Sequence, residues 1–170
     1  MNLKQYIKDI PDFPKPGIIF KDITPLWKNP KAFAHALEEL LLICPESKEI
    51  DKVIGIESRG FIMGSLLASR LDAGFIPLRK KGKLPADVFS KSYDLEYGSA
   101  TLEIHQDAIT PGDRILLHDD LLATGGTAKA ACDLIEDMGG ILVQCNFLVE
   151  LSFLKGQEKL ERPIVSLLKY

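Results

Sequence analysis

Cysteine is scarce in this chain: Cys44, Cys132 and Cys145 are the full set. Their odd number, the lack of metal-ligand spacing and their apolar or helical settings argue against a disulfide framework or a zinc site. Reduced core thiols are expected. Long apolar runs are missing as well. No stretch approaches the ~20 residues of a membrane span, and MNLKQYIKDI lacks a signal peptide's apolar core, so a cytoplasmic protein with no membrane partner is expected. There is no excess of positive charge. The net charge of −3 argues against a general nucleic-acid surface, so no nucleic-acid partner is expected. The G-x-x-x-x-G-K-[ST] loop of nucleotide hydrolases is absent too. With no internal repeat, low-complexity tract or dividing linker, residues 1–170 are read as one domain. A chain of this length buries about 70% of its unfolded surface, and an apolar fraction of 46% with 26% charged residues is ordinary for a globular protein.

What the chain does have is concentrated in residues 115–128, ILLHDDLLATGGTA. Ile115, Leu116 and Leu117 follow the turn signal Pro111-Gly112-Asp113 and form a run too short for a helix, which predicts a buried strand. Asp119 and Asp120 then stand at its carboxyl end. Behind them, Ala123-Thr124-Gly125-Gly126-Thr127 can turn tightly, since glycine tolerates positive φ and lets a ligand approach the backbone. Helical periodicity from Ala128 to Met138 places that loop at a helix N-terminus, where free N–H groups cradle an anion. Two carboxylates beside a phosphate site repel unless the ligand also brings hydroxyls or a divalent cation, and a sugar phosphate brings both. Either half alone equally suits an ordinary strand–turn–helix junction with Asp at a helix start. Together they favour the ligand site.

At these residues the chain resembles the type I phosphoribosyltransferases, whose phosphoribosyl pyrophosphate (PRPP) motif runs as four apolar residues, two acids and a T-G-G-T-like loop. The Leu121-Leu122-Ala123 spacer resembles the adenine-using branch of that family. His118 departs from the usual apolar residue before the acids. The resemblance implies an α/β fold with a parallel sheet, a small N-terminal hood over about residues 1–30 and a flexible β-hairpin flap. It also implies transfer of a phosphoribosyl group from PRPP to adenine, Mg2+ carried mainly on the ligand's oxygens with no metal ligand of the protein's own, and a homodimer. Rival readings keep the PRPP site but change the base to hypoxanthine, guanine or xanthine, or keep the fold as a PRPP-sensing regulator without chemistry.

From the N-terminus, residues 2–10 predict a short amphipathic helix ended by the proline-rich PDFPKPG, a stiff extended segment. Residues 18–23 read from composition as a loop that caps one side of the core. FPKPGIIFKDITPL nonetheless resembles the family's purine-pocket wall, which would set Phe20 against the base, flanked by Ile19 and Lys21; many relatives have Arg at the latter position. A helix is predicted over 30–44 with Phe33, Leu37, Leu40 and Leu41 on one face. A β-branched strand at 52–57 then meets Ser58-Arg59-Gly60 and a helix at 61–71, a second anion-binding geometry. Arg59 could equally pair with Glu57. By resemblance this loop binds the pyrophosphate of PRPP, often through a non-proline cis peptide, expected here near Glu57-Ser58.

The strand at 74–79 ends among Arg79, Lys80, Lys81 and Lys83. Such clusters are usually solvated faces, yet this one lies where open α/β sheets bind ligands. The resemblance assigns Arg79, Lys80 and Lys83 to pyrophosphate, together with Ser58 and Arg59. Residues 85–97 are polar and aromatic and read as a mobile flap closing on the strand 100–105. A lone Glu beside a turn is usually surface, but LEYG resembles the family's flap, which makes Glu96 the candidate general acid/base. Further strands are predicted at 141–149 and 163–168, with 150–160 as a connecting helix or turn.

Overall fold

Proline decides how the chain begins. In the computed structural model, which describes residues 1–94 and 98–170, only Leu3–Tyr6 of the predicted first helix is helical, as a 3-10 turn whose Lys4 N–H donates to the Asn2 side chain at 3.1 Å. Lys8–Pro11 is instead a strand, β1, paired antiparallel with β2, Ile19–Asp22. The helical spacing of residues 2–10 loses because a residue before proline is biased to extended backbone and the ladder to β2 gives that backbone its partners.

The chain divides into two compact units, Met1–Leu42 and Ile43–Tyr170. The first holds the β1–β2 hairpin and two helices, α1 (Thr24–Lys28) and α2 (Pro30–Leu42). Asn29 caps α2 by accepting from Lys31 N–H and Ala32 N–H at 3.1 and 3.0 Å. The buried face of α2 is Ala32, Ala36, Leu37 and Leu40, with Phe33 and Leu41 only half-buried. The predicted face is therefore rotated toward the small residues.

The second unit is a seven-stranded sheet. Its strands are β3 (Lys52–Ile56), β4 (Gly74–Lys80), β5 (Val88–Asp94), β6 (Ser99–His105), β7 (Arg114–Leu122), β8 (Ile141–Glu150) and β9 (Ile164–Lys169), in the order β5-β6-β4-β3-β7-β8-β9. The run β4-β3-β7-β8-β9 is parallel, while β6 pairs antiparallel with β4 and β5 with β6. Helix α3 (Gly60–Arg70) links β3 to β4, and α4 (Gly126–Asp137) links β7 to β8.

Parallel strands are covered on both faces and read as near-continuous apolar runs, which is how Ile115–Leu117 and Phe147–Val149 come to be fully buried. Of these, Ile115, Leu117 and Phe147 pack with Ile54, Ile56, Leu78 and the buried face of α4, including Ala131, Leu134 and Ile135, in one core. Because β4, β3 and β7 are parallel neighbours, the loops after all three leave from the same edge of the sheet. That edge gathers the acid pair, the 57–60 turn and the basic segment. No helix among the described residues is long and apolar enough to cross a membrane.

Candidate functional site

Strand β7 runs further than its apolar residues suggest. Asp119 and Asp120 lie within it, Asp119 in register with Phe147, and the strand ends only at Leu122. The carboxylates thus hang from rigid backbone at the sheet's edge. Asp119 Oδ1 accepts the Asp120 N–H at 2.8 Å, and Arg59 Nε lies 3.0 Å from Asp120 Oδ2. Helix α3 begins hard against this strand. A Cβ on Gly60 would stand 2.9 Å from Asp119 Oδ1 and 3.0 Å from the His118 carbonyl, so no other residue fits without displacing the acid.

Burial, then the charge of Asp120, pushes the Asp119 carboxyl well above the ordinary value. Burial raises Asp120 also, against the pull of the Arg59 guanidinium. Carboxyls raised in this way have their ionised form favoured by a nearby positive charge. His118, just before them, is fully buried, and its Nδ1 lies 3.0 Å from Asn146 Oδ1. Burial lowers its pKa to about 4 despite that partner, so the imidazole is neutral at physiological pH.

The glycine loop closes against a turn far along the chain. Gly125 takes a left-handed φ of 80° as the residue capping α4, and a Cβ there would come within 2.3 Å of the Gly156 carbonyl oxygen. On Gly156 a Cβ would come within 2.1 Å of the Ala123 carbonyl oxygen. The two glycines interlock, and Lys155 turns the chain into this contact with a φ of 54°. Residues 119 and 121–128 line a cavity of about 90 Å3, well above the roughly 10–15 Å3 needed to hold a water. The start of α4 opens onto it, supplying the N–H groups that a helix leaves unpaired at its first turn. Thr127 Oγ1 also reaches the Tyr93 hydroxyl on β5, at 3.2 Å.

The third part is built on Glu57, whose peptide bond to Ser58 is cis, as expected from the resemblance. Arg59, read from the sequence as a partner of Glu57 or of a ligand, turns to Asp120. Glu57 instead holds the basic segment. It accepts from Arg79 Nε at 3.2 Å and from the Lys80 N–H at 2.9 Å, and Lys83 Nζ lies 3.6 Å away. Arg79 also donates to the Lys83 carbonyl at 3.1 Å. Burial pushes the Glu57 carboxyl up, but the Lys80 N–H and Arg79 together outweigh it and hold the pKa below 4.5.

A carboxyl depressed by folding adds stability above its unfolded pKa and loses it as pH falls through the folded value. Glu57→Gln is therefore expected to lower the melting temperature at neutral pH, with a gap to wild type that narrows below pH 4.5. Thermal melts on either side of that pH check this, and a gap that widens in acid would contradict it.

The second unit thus brings Asp119, Asp120, Ser58, Arg59, Arg79, Lys80, Lys83 and the 123–127 loop to one sheet edge. Ile19, Phe20 and Lys21 lie on β2 of the first unit rather than in a loop. There Phe20 packs edge-on against Phe13, centroids 5.2 Å apart, and Lys21 Nζ meets Asp9 at 2.6 Å. Glu96 lies outside the described residues. Sequence reasoning missed Glu57, Tyr93 and Gly156 as builders of the site. Gly60 was read as part of the 58–60 anion turn but not as packed on Asp119, whereas Gly156 carries no local signal.

A sequence profile of the phosphoribosyl transferase domain matches residues 27–165. The adenine phosphoribosyltransferase of Christiangramia forsetii is 58% identical over 171 aligned positions, covering 100% of this chain and 99% of that one. That of Halothermothrix orenii is 60% identical over 161 positions, covering 95% and 94%. Among solved structures, the adenine phosphoribosyltransferase of Rhodothermus marinus superposes with a TM-score of 0.93 at 55% identity, over 99% of this chain and 96% of that one. The Saccharomyces cerevisiae enzyme, complexed with an imino-altritol bisphosphate and adenine, gives 0.93 at 42% identity, over 97% and 96%.

Proposed function

The chain belongs to the phosphoribosyl transferase family, and from that premise we propose that it transfers the 5-phosphoribosyl group of PRPP to adenine, giving AMP and pyrophosphate. The observation that carries the site assignment is the junction of the 57–60 turn with strand β7: Arg59 on Asp120 at 3.0 Å and Gly60 pressed against Asp119. It sets acids for ribose hydroxyls between a phosphate loop and a basic segment.

Breaking the bond from C1′ to pyrophosphate leaves positive charge on the ribose ring, as in glycoside cleavage. Asp119 and Asp120 hold the ribose hydroxyls and favour that charge. The 5′-phosphate sits on the amides of Ala123, Thr124, Gly125, Gly126 and Thr127, with both threonine hydroxyls. The Ser58-Arg59 turn, Arg79, Lys80 and Lys83 take the leaving pyrophosphate. Glu57 positions two of those cations without touching substrate. Mg2+ suits this donor set, since it dehydrates reluctantly and binds through substrate phosphates and few carboxylates. Among the described residues no group of three His, Cys, Asp or Glu would hold it unaided. When bound on PRPP it neutralises the pyrophosphate.

Phe20 stacks on adenine, flanked by Ile19 and Lys21, and Glu96 manages the purine proton. The enzyme works in the cytoplasm as a homodimer. Stacking on an aromatic ring contributes about 1–3 kcal/mol per base, so Phe20→Ala is expected to raise KM for adenine about tenfold or more with KM for PRPP little changed. An unchanged KM for adenine would place the base elsewhere. The test of the reaction itself is AMP formation by the purified chain from adenine and PRPP, with and without Mg2+, beside hypoxanthine and guanine. AMP is expected with adenine alone, and turnover of hypoxanthine at an equal rate would overturn the assignment of the base.

A further inference from the structure

Two of the three cysteines lie together, outside the site. Cys132 on α4 and Cys145 on β8 have Sγ atoms 3.5 Å apart, both buried. Their settings differ. Cys145 is sealed in the core, with no exposed surface. Cys132 forms part of the wall of a small surface cavity of about 40 Å3, shared with Lys129, Asp133, Leu160, Glu161 and Arg162. That exceeds the roughly 10–15 Å3 needed to admit a water, so a molecule as small as hydrogen peroxide can enter. Two cations border it: Lys129 held by Asp133 at 2.6 Å, and Arg162 forked onto Glu136 at 2.5 and 2.6 Å.

We propose that Cys132 and Cys145 form a peroxide-oxidisable dithiol whose disulfide slows the enzyme by pulling on both arms of its phosphoribosyl site. The Cys132 thiolate attacks one oxygen of the peroxide. An S–O bond forms, the O–O bond breaks, and the departing hydroxide takes a proton to become water, leaving a sulfenic acid. The Cys145 sulfur then attacks the Cys132 sulfur; the S–S bond forms, the S–O bond breaks, and the hydroxyl leaves with the Cys145 proton as a second water. The two thiols have lost two electrons and the peroxide has gained them. The chemistry of the pair favours this direction. The hydrogen bond from Cys145 draws the Cys132 thiol below the ordinary range, and the same bond and burial push Cys145 up. Burial lifts the remaining thiol, Cys44, to about 12, where thiolate is scarce.

Closing the gap from 3.5 Å to a bond of about 2.05 Å draws α4 and β8 together by up to roughly 1.5 Å. Helix α4 begins at Gly126, in the phosphate loop. Cys145 is in register with Leu117 on β7, two residues before Asp119. The bond thus spans the element carrying the phosphate loop and the strand beside the acids. Disulfides of this kind inside cells are usually transient and redox-sensing. The effect on turnover rests on the PRPP reading; formation of the disulfide does not.

The experiment treats the purified chain with hydrogen peroxide, counts alkylatable thiols, maps the linked peptides by mass spectrometry and measures KM for PRPP before and after a dithiol reductant. Free thiols are expected to fall from three to one, with a 132–145 crosslink. KM for PRPP is expected to rise at least about fivefold, the low end of coupling between sites, and to return on reduction. Cys132→Ala and Cys145→Ala should each abolish the peroxide effect, and Cys44→Ala should keep it. Three thiols surviving peroxide, a crosslink through Cys44, or a 132–145 disulfide with unchanged kinetics would each overturn the proposal. A reduced protein that makes no AMP would instead count against the proposed reaction.

Discussion

Asp119→Asn is expected to cut kcat/KM for PRPP by about a hundredfold or more while leaving the folded state at least as stable as wild type at neutral pH. Asp120→Asn is expected to do the same for activity. The loss follows from what the pair does in the transition state. A group aimed at developing charge in a water-poor site is worth about 10²–10³ in rate when removed, and asparagine keeps the shape and one acceptor but not the negative charge. The stability half follows from the direction of the pKa shifts. Both carboxyls are raised on folding, first by burial and, for Asp119, next by the charge of its neighbour. A carboxyl raised on folding binds more protons in the native than in the unfolded state between the two pKa values. Native stability therefore falls as pH climbs from the unfolded value near 3.8 toward the folded one. Wild type carries that cost at neutral pH, and Asp119→Asn removes it. Steady-state kinetics alongside chemical denaturation from mildly acid to neutral pH check both halves. Wild-type rates in the two variants would refute the ribose role, and a marked loss of stability in Asp119→Asn would show that the acid braces the fold.

Gly156→Ala is expected to have the next largest effect, although residue 156 lies outside the motif. Its Cβ would come within 2.1 Å of the Ala123 carbonyl and 2.9 Å of the Gly125 nitrogen, all backbone. Neither side can swing away as a flexible side chain would, so the phosphate loop itself must move. A displacement of about 1 Å at a binding loop can cost about 10² in rate, and the overpacking costs about 1–3 kcal/mol of stability. The expected signature is a KM for PRPP raised about tenfold or more, together with a lower melting temperature. Gly112→Ala separates the causes. Gly112 has φ of 94° and nothing within 4 Å of a Cβ, so alanine there strains the backbone by roughly 1–2 kcal/mol without touching the loop. It should lower the melting temperature and leave KM for PRPP unchanged. Equal kinetic effects in the two variants would sink the idea of interlocked glycines.

These two cases divide what was legible in the sequence from what was not. The acid pair and glycine loop could be read because one short stretch contains a buried strand, its end and a helix start, and each leaves a local mark. The parallel sheet could be read for the same reason: strand, turn and helix repeat in order. The N-terminal hairpin could not, because Leu3, Tyr6, Ile7 and Ile10 have helical spacing. What overrides it is pairing of Ile10 with Phe20 across a proline-rich turn. Gly156 was invisible since its reason is a carbonyl more than thirty residues away. For Arg59 the sequence left Glu57 and a ligand equally open, because a partner on a distant strand leaves no local mark. Arg59 meets Asp120 on β7, and Glu57 faces the basic segment.

The most direct measurement is a crystal structure of the chain with ribose 5-phosphate or PRPP bound. The sugar hydroxyls should lie on Asp119 and Asp120, and the 5′-phosphate should accept hydrogen bonds from the amides of residues 123–127. A sugar phosphate seated on the basic residues at 79–83, with the glycine loop untouched, would contradict the account.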